Sequence, residues 1–403
     1  MRTITFSTLY PNQSQPRHGI FVEQRLRHLL ATGQVESRVV APVPWFPSRN
    51  PRFGQYSVFA RAPREEERHG IHILHPRYVL LPKVGMSLAP LAMALAAKSA
   101  FDCLRAEGFE PDVIDAHYLY PDGVAAALLA RWYGKPVICS LLGDDVITFP
   151  RFRVPRRQFL WAARRMASIT SVCHALKDRA EEWGAPAGKI RVVLHGVDLE
   201  MFRPMDREAV RARLGLSGRV LISVGHVTKR KGHHLAIEAL PHLPGTTLLI
   251  AGDGWLEPHL RQMASEIGVA DRVRFLGHVE QEDLPELYNA ADALVLASSR
   301  EGMANVLLEA MACGTPVIAT PVWGSPEAVR VPEAGVLMRD RSSGSVVEAA
   351  QRLFAAYPER EATRRYAAET FRWERTNEQH LEELRRAVES MGRATARLRE
   401  RSA

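Results

Sequence analysis

Glu301-Gly302-Met303-Ala304-Asn305-Val306-Leu307-Leu308-Glu309-Ala310-Met311-Ala312-Cys313-Gly314-Thr315-Pro316 follows an apolar run, Ala293 to Ala297, and a short polar link, Ser298-Ser299-Arg300. A run of that length reads as a buried strand. The quoted stretch reads as a glycine-containing loop and then a helix ending at Gly314, a residue suited to a left-handed C-terminal cap. In open α/β sheets, ligands bind beyond the carboxyl ends of the strands. The helix start offers unpaired backbone N–H groups and the positive end of a dipole, an anion site suited to a diphosphate. Glu301 stands before the helix and Glu309 about one turn inside it. Two carboxylates at different depths beside a phosphate site are suited to accepting hydrogen bonds from sugar hydroxyls. The spacing equally suits an N-cap acid followed by a surface glutamate.

Outward from this segment the same alternation recurs. Strand-like runs stand at Thr3 to Thr8, Arg38 to Ala41, Ile71 to Leu74, Val113 to Ala116, Pro136 to Ser140, Ile169 to Val172 and Ile190 to Leu194. After Val197 to Pro204 the pattern restarts with Val220 to Val224, Thr247 to Ala251, Val273 to Leu276, Ala293 to Ala297 and Pro316 to Ala319. Strands alternating with helices imply parallel sheets covered on both faces. The fold class is therefore α/β: two doubly wound, Rossmann-like domains, 1–203 and 204–365, facing a cleft. The tail, 366–403, is read as helices, with Leu381, Leu384 and Val388 at helical spacing, packing back on the first domain.

A second segment, Val224-Gly225-His226-Val227-Thr228-Lys229-Arg230-Lys231-Gly232-His233-His234-Leu235, also follows a strand. Its three consecutive cations can reach into a cleft and neutralise a leaving diphosphate. A solvated surface turn is the alternative. A third segment, Arg151 to Arg165, holds six arginines and no acid, interleaved with Phe152, Phe159 and Trp161. That mixture fits a surface touching anionic lipid headgroups, or a simple solvated basic helix. Nucleic acid is not expected, because no helix-turn-helix, zinc-finger or RNA-binding signature accompanies the charge.

Composition agrees with a folded protein of two or three domains: 403 residues, 46% hydrophobic and 24% charged. A net charge of +8 suits an anionic partner. Cys103, Cys139, Cys173 and Cys313 stand far apart, without zinc-ligand spacing, and read as reduced cysteines of a cytoplasmic protein. No secretory signal is visible at the N-terminus. The longest apolar stretch, Val84 to Ala97, includes Pro90 and falls short of the roughly 20 residues of a spanning helix, so no membrane span is expected.

Taken together, Gly225 through Lys231-Gly232 and Glu301 through Glu309, with Gly314-Thr315-Pro316-Val317-Ile318-Ala319-Thr320 after them, resemble the retaining glycosyltransferases of family 4, which have the GT-B fold. The resemblance covers nearly the whole chain. Its other marks are Pro16-Arg17-His18-Gly19-Ile20-Phe21-Val22, Ala116-His117, Gly143-Asp144-Asp145, His195-Gly196-Val197-Asp198, Gly252-Asp253-Gly254 and Phe275-Leu276-Gly277. The opening from Leu9-Tyr10-Pro11-Asn12 to Val22 looks most like transferases of teichuronic-acid and exopolysaccharide assembly.

The resemblance implies a donor that is a nucleotide-diphosphate sugar and an acceptor that is a lipid-linked or cell-surface polysaccharide. By it, Glu301 binds donor-sugar hydroxyls and Glu309 the ribose. The amides around Gly302, Met303, Ala304, Asn305 and Val306, together with Lys231, hold the diphosphate. Gly19 approaches the diphosphate or sugar from the opposite domain, and His117 is the active-site histidine. Where the family usually has arginine this chain has His226, which is counted with Arg230 among the donor-binding residues, with phosphate stabilisation expected to shift to Arg230 or Lys229. Trp323-Gly324 replaces a frequent glycine pair and is expected to reshape a wall of the donor pocket. No Asp-x-Asp triplet is present, so neither a metal nor a cofactor is expected. Rival readings are a sugar-nucleotide epimerase of the same architecture and a non-enzymatic protein binding through its basic surface.

Overall fold

The computed structural model describes residues 1–80 and 85–402, with side chains in the last helix described as far as Arg393. The chain forms two compact units, Met1–Leu194 with Thr376–Ala403, and His195–Arg375.

The first unit is built on an eight-stranded sheet. Its order is Ile190–Val192, Ser168–Ser171, Val137–Leu141, Val113–His117, Arg2–Phe6, Glu36–Val40, Ile71–Leu74 and Glu65–Arg68. All neighbours are parallel except the last pair. Inner strands such as Val113–His117, Val137–Leu141 and Ser168–Ser171 are buried along their whole length because both faces are covered, whereas Glu65–Arg68 is a charged edge strand with no such pattern. That strand, and the two-residue pair Val43–Pro44 and Arg77–Tyr78, are absent from the hydrophobic pattern. Between Arg2–Phe6 and Val113–His117 the strand order reverses, so the loops after these two strands flank the switch point where such sheets bind ligands.

One helix is longer than the sequence suggested. Gly85–Ala106 runs 22 residues straight through Pro90, long and apolar enough to cross a membrane by length and mean hydropathy. Val84, the first residue of the apolar stretch, lies outside the described residues. The helix buries Ala89, Met93, Ala97, Phe101 and Leu104, while Met86, Leu88, Leu91 and Leu95 are exposed.

The last helix, Trp373–Ser402, packs on the first unit as its spacing implied. Leu381, Leu384 and Ala387 join Leu29, Val113 and Ile138 in one core cluster, with Val388 against it. Polar ties accompany the packing: Asn377 Nδ2 donates to His28 O at 3.0 Å, and Ser168 pairs with Glu383.

The second unit has a six-stranded, wholly parallel sheet. Its order is Val273–Gly277, Thr246–Ala251, Arg219–Val224, Ala293–Leu296, Val317–Ala319 and Gly335–Leu337. Numbered within the unit this is 3-2-1-4-5-6, and the order reverses between Arg219–Val224 and Ala293–Leu296. The two segments singled out in the sequence are the loops leaving these two strands. Helices on both faces close the core around Leu221, Leu248, Ile250, Val295 and Ile318.

Candidate functional site: two loops at the switch point of the second sheet

The loop after Arg219–Val224 returns to a short helix, His233–Ala239, through Gly232 at φ 78°. A Cβ on Gly232 would fall 2.0 Å from Ala297 O, at the end of the neighbouring strand. Only glycine allows this approach and this φ together. The approach carries the preceding residue, Lys231, onto the second loop: its Nζ donates to Glu301 Oε1 at 2.7 Å. Ser299 N donates to Arg230 O at 2.9 Å, extending the junction by backbone.

Three side chains meet at Glu301 Oε1, namely Lys231, Ser298 Oγ at 2.7 Å and Arg230 Nη1 at 3.4 Å. Lys231 and Glu301 are 13% and 10% exposed, which excludes a solvated surface turn. Burial would raise the Glu301 carboxyl, but Lys231, Arg230 and Ser298 outweigh it and hold the group below its ordinary value. Glu301 is therefore a fixed, ionised acceptor. It is not an N-cap acid: that position is taken by Ala304, and the helix is Asn305–Ala312. Gly314 follows at φ 77° with the expected left-handed geometry.

Glu309 is no surface residue either, being 7% exposed. Tyr288 OH donates to its Oε2 at 2.8 Å, and burial pushes its carboxyl up to about 7, against hydrogen bonds from Tyr288 and Gln281 and the charge of Lys231. Gly302, Met303 and Ala304 form the turn into the helix. Gly302 O accepts from Gly324 N at 3.0 Å, Met303 and Ala304 are buried, and Asn305 keeps a buried Oδ1 without a partner. Asn305 and Val306 open the helix, where amide N–H groups have no intrahelical acceptor.

His226 stands apart from this cluster. Its ring is 78% exposed and lies 3.4 Å from Asp253 Oδ1, so the cation pair at Glu301 is Lys231 and Arg230 without it.

Two supports carried no readable signal in the sequence. Buried His233 receives Ser223 Oγ–H at Nδ1 (2.8 Å) and donates from Nε2 to Gly225 O (3.2 Å), a tautomer fixed by the carbonyl acceptor. Burial lowers this histidine to about 4, so it is a neutral strut under the Lys231 loop. Arg341 donates to Ala297 O at 2.9 Å and to Lys229 O at 2.7 Å, stapling the two loops from a distant part of the chain.

The switch point of the first sheet carries Gly19 and His117. Gly19, at φ 71°, precedes the helix Ile20–Ala31, and a Cβ there would lie 2.3 Å from the Leu9 backbone. The loop itself thus demands glycine. His117 ends its strand almost wholly buried, with Nε2 3.7 Å from Asp115 Oδ2 and Nδ1 buried without a partner. Burial lowers it to about 4 despite the pull of Asp115, so the ring is neutral. Asp115 also takes His380 Nε2 at 2.7 Å, and Arg25 Nη2 meets His380 Nδ1 at 3.0 Å. Around them, Asp122 receives Thr8 N at 2.8 Å and Thr8 Oγ1 at 2.9 Å, while Asp145 receives Leu119 N at 2.9 Å and Gly143 N at 2.7 Å. The Gly143-Asp144-Asp145 turn is thus a brace that ties together the loops of neighbouring strands.

Two Rossmann-type units, one presenting a lysine and a glutamate on opposite sides of its switch point, have the architecture of the GT-B fold. The chain belongs to the glycosyltransferases: residues 21–201 match the family described as Glycosyltransferase Family 4 and residues 206–370 that described as Glycosyl transferases group 1. It is 39% identical over 334 residues to D-inositol 3-phosphate glycosyltransferase of Mycobacterium tuberculosis, covering 76% of this chain and 69% of that protein. Among solved structures it resembles sucrose-phosphate synthase from Thermosynechococcus elongatus, with a TM-score of 0.77 and 20% identity over 96% of this chain and 99% of the other. Anabaena HepE in complex with UDP gives 0.74 and 20% over 95% and 99%. At such identities these two likenesses show the fold. Membership in a transferase family sets aside the epimerase and the non-enzymatic binder.

Proposed function

We propose that the protein transfers a hexosyl group, with retention at the anomeric carbon, from a nucleotide-diphosphate sugar. The observation that carries the donor reading is the Lys231–Glu301 pair at the strand-order reversal, beside the open start of the Asn305–Ala312 helix. Lys231, Arg230 and the helix amides supply positive charge to the diphosphate, and Glu301 accepts from sugar hydroxyls once Lys231 turns to phosphate. Glu309 takes the ribose. His117 and Gly19 serve from the first unit. The departing diphosphate helps to deprotonate the acceptor, which attacks from the same face, and no metal is needed. The fold neighbours whose descriptions name UDP and UDP-glucose favour those probes for the donor.

Two acceptor readings stand. A lipid-linked or cell-surface polysaccharide follows from the likeness of the opening loop to teichuronic-acid and exopolysaccharide transferases. An inositol phosphate is favoured by the name of the 39% identical relative. For the polymer reading, the protein works in the cytoplasm, peripherally on the inner face of the membrane. Its Arg153–Arg165 helix supports this, with Phe152 and Val154 exposed beside exposed arginines. Gln158 of that helix donates to Ser87 O at 2.9 Å, which brings it against the end of Gly85–Ala106 where Met86 and Leu88 are exposed.

The deciding experiment incubates the protein with UDP-, ADP- or GDP-glucose and either inositol phosphate or an undecaprenyl-linked glycan, with the product anomer read by NMR. Transfer with retained configuration supports the reading. Absence of transfer and of donor hydrolysis with every donor, or an inverted product, overturns it.

A further inference from the structure

Trp323 has φ 49°, in the left-handed region that a bulky side chain rarely enters. It is the first central residue of the turn Val322–Ser325, closed by Ser325 N donating to Val322 O at 3.0 Å, with Gly324 at φ −75° and ψ −9° behind it. Turns with positive φ at that place ordinarily take glycine. Strained backbone of this kind persists where the surroundings impose it, and it clusters at ligand sites.

The surroundings here are the donor loop. Two hydrogen bonds staple the segment from Thr320 to Gly324 against the segment from Ser298 to Gly302: Thr320 Oγ1 to Ser298 O at 2.7 Å, and Gly324 N to Gly302 O at 3.0 Å. Glu301 lies between the two accepting residues and Trp323 next to the second donor. The indole is half-buried, and no aromatic ring or hydrogen-bond partner engages it among the described residues. Two buried polar atoms in the same loops, Asn305 Oδ1 and Ser325 Oγ, also lack partners. A flat apolar side chain and unmet polar groups, on segments tied by hydrogen bonds to the loop that carries a fixed carboxylate, suit a pyranose, which has an apolar C–H face and a hydroxyl rim.

We propose that Trp323 is a specificity-determining residue whose indole stacks on the hexosyl ring of the donor while Glu301 holds its hydroxyls. The inference rests on the donor-site reading above and adds to it where the sugar's apolar face lies. It separates the sugar from the nucleotide: the ring contributes to binding of the conjugate and leaves binding of the bare diphosphate untouched.

Calorimetric titration of wild type, Trp323→Gly, Trp323→Asn and Trp323→Phe tests it, using whichever of UDP, ADP and GDP the wild type binds most tightly and its glucose conjugate. Gly and Asn both accept a positive φ, and Asn does so without glycine's flexibility. Both are expected to weaken the glucose conjugate about 3- to 10-fold, the scale of one lost ring contact. Both should leave the diphosphate within twofold and raise the melting temperature by about 2–4 °C as strain is released. Trp323→Phe should keep most of the sugar affinity. Equal weakening of conjugate and diphosphate, or no change in either, overturns the inference while leaving the donor site in place. A wild type that binds none of the three diphosphates overturns the donor-site reading, and this inference with it.

Discussion

The Lys231 ammonium stands 2.7 Å from Glu301 Oε1, each residue brought by the loop of a different strand across the reversal of the sheet. Neither loop alone makes the site. Gly232 seats the first against Ala297, Arg341 locks both, and the pair closes over the result. Glu301 neutralises the Lys231 cation directly. In the proposed function, donor binding exchanges one anionic partner of Lys231 for another, and Glu301 is freed for hydroxyls.

A largely buried pair whose partner is removed leaves an uncompensated charge. Lys231→Met leaves Glu301 with Arg230 and Ser298 only, and Glu301→Gln leaves Lys231 without its anion. Each single change is expected to cost roughly 2–3 kcal/mol of stability. The double variant should cost less than the sum, because neither charge remains. Denaturant titration of all four proteins checks this; strict additivity would show that the two groups do not interact. Lys231→Ala is also expected to weaken diphosphate binding far more than Lys229→Ala does, since only Lys231 reaches Glu301.

Glu301 and Glu309 differ in what they can offer. Glu301 is ionised and faces the cation site, whereas Glu309 lies deeper, engaged by Tyr288. Glu301→Ala is expected to lower turnover by about 2–4 kcal/mol of barrier, or 30- to 1000-fold. Glu309→Ala should act mainly on donor KM. Steady-state kinetics on folded variants separate the two, and near-normal turnover in Glu301→Ala would remove it from the chemistry.

Physical signals in the sequence placed both halves of this arrangement at strand ends but left a solvated turn and an N-cap acid as equal readings, and only the family resemblance joined them. Inner strands such as Val137–Leu141 show as apolar runs because both faces are covered, and Lys231-Gly232 and Glu301 show as chemistry at strand ends. What stayed hidden depends on distant partners. Arg341 stabilises the site through two backbone carbonyls, which leave no trace in spacing. Charged Glu65–Arg68 pairs at an edge, with only its neighbour to make it a strand. The depth of Glu309 is likewise set by Tyr288, which lies on another helix.

Glu309 also gives stability a pH dependence of definite sign. The carboxyl titrates near 4.5 when unfolded and near 7 when folded. Below pH 4.5 both states keep the proton and the site costs nothing. As pH rises towards 7 the unfolded chain ionises first, so folding stability falls by roughly 3 kcal/mol and then levels off. Glu309→Gln keeps the hydrogen-bond acceptor for Tyr288 and cannot ionise. Its melting temperature relative to wild type should therefore climb between pH 4.5 and 7 and hold constant above. A difference independent of pH would show that Glu309 is not held in its neutral form.

The proposed function assigns the diphosphate to Lys231, Arg230 and the helix amides, with no metal. Transfer should therefore survive exhaustive dialysis against EDTA, with initial rates within about twofold of the untreated enzyme. Loss of activity restored by magnesium or manganese would reassign the diphosphate to a metal.

The Arg153–Arg165 helix presents its charges unevenly, and this shapes the membrane prediction. Arg156 lies over the Trp183 ring at 5.2 Å and Arg165 over Trp161 at 4.3 Å, so part of their charge is spent on the protein's own surface. Arg151, Arg153 and Arg157 are exposed and have no carboxylate partner among the described residues, beside Phe152, which is 50% exposed. A basic residue near an anionic lipid surface contributes about 1 kcal/mol, screened within roughly 10 Å at 0.1 M salt. Three such residues, with Phe152 and Val154 beside them, are expected to give weak and reversible attachment. Sedimentation with vesicles of one-third phosphatidylglycerol should recover the wild type at low salt and release it as salt rises. The triple variant Arg151→Glu, Arg153→Glu, Arg157→Glu should stay in the supernatant and still turn over a soluble acceptor, because none of the three belongs to the donor site. Recovery unchanged by the substitutions or by salt would leave the helix as a solvated basic face.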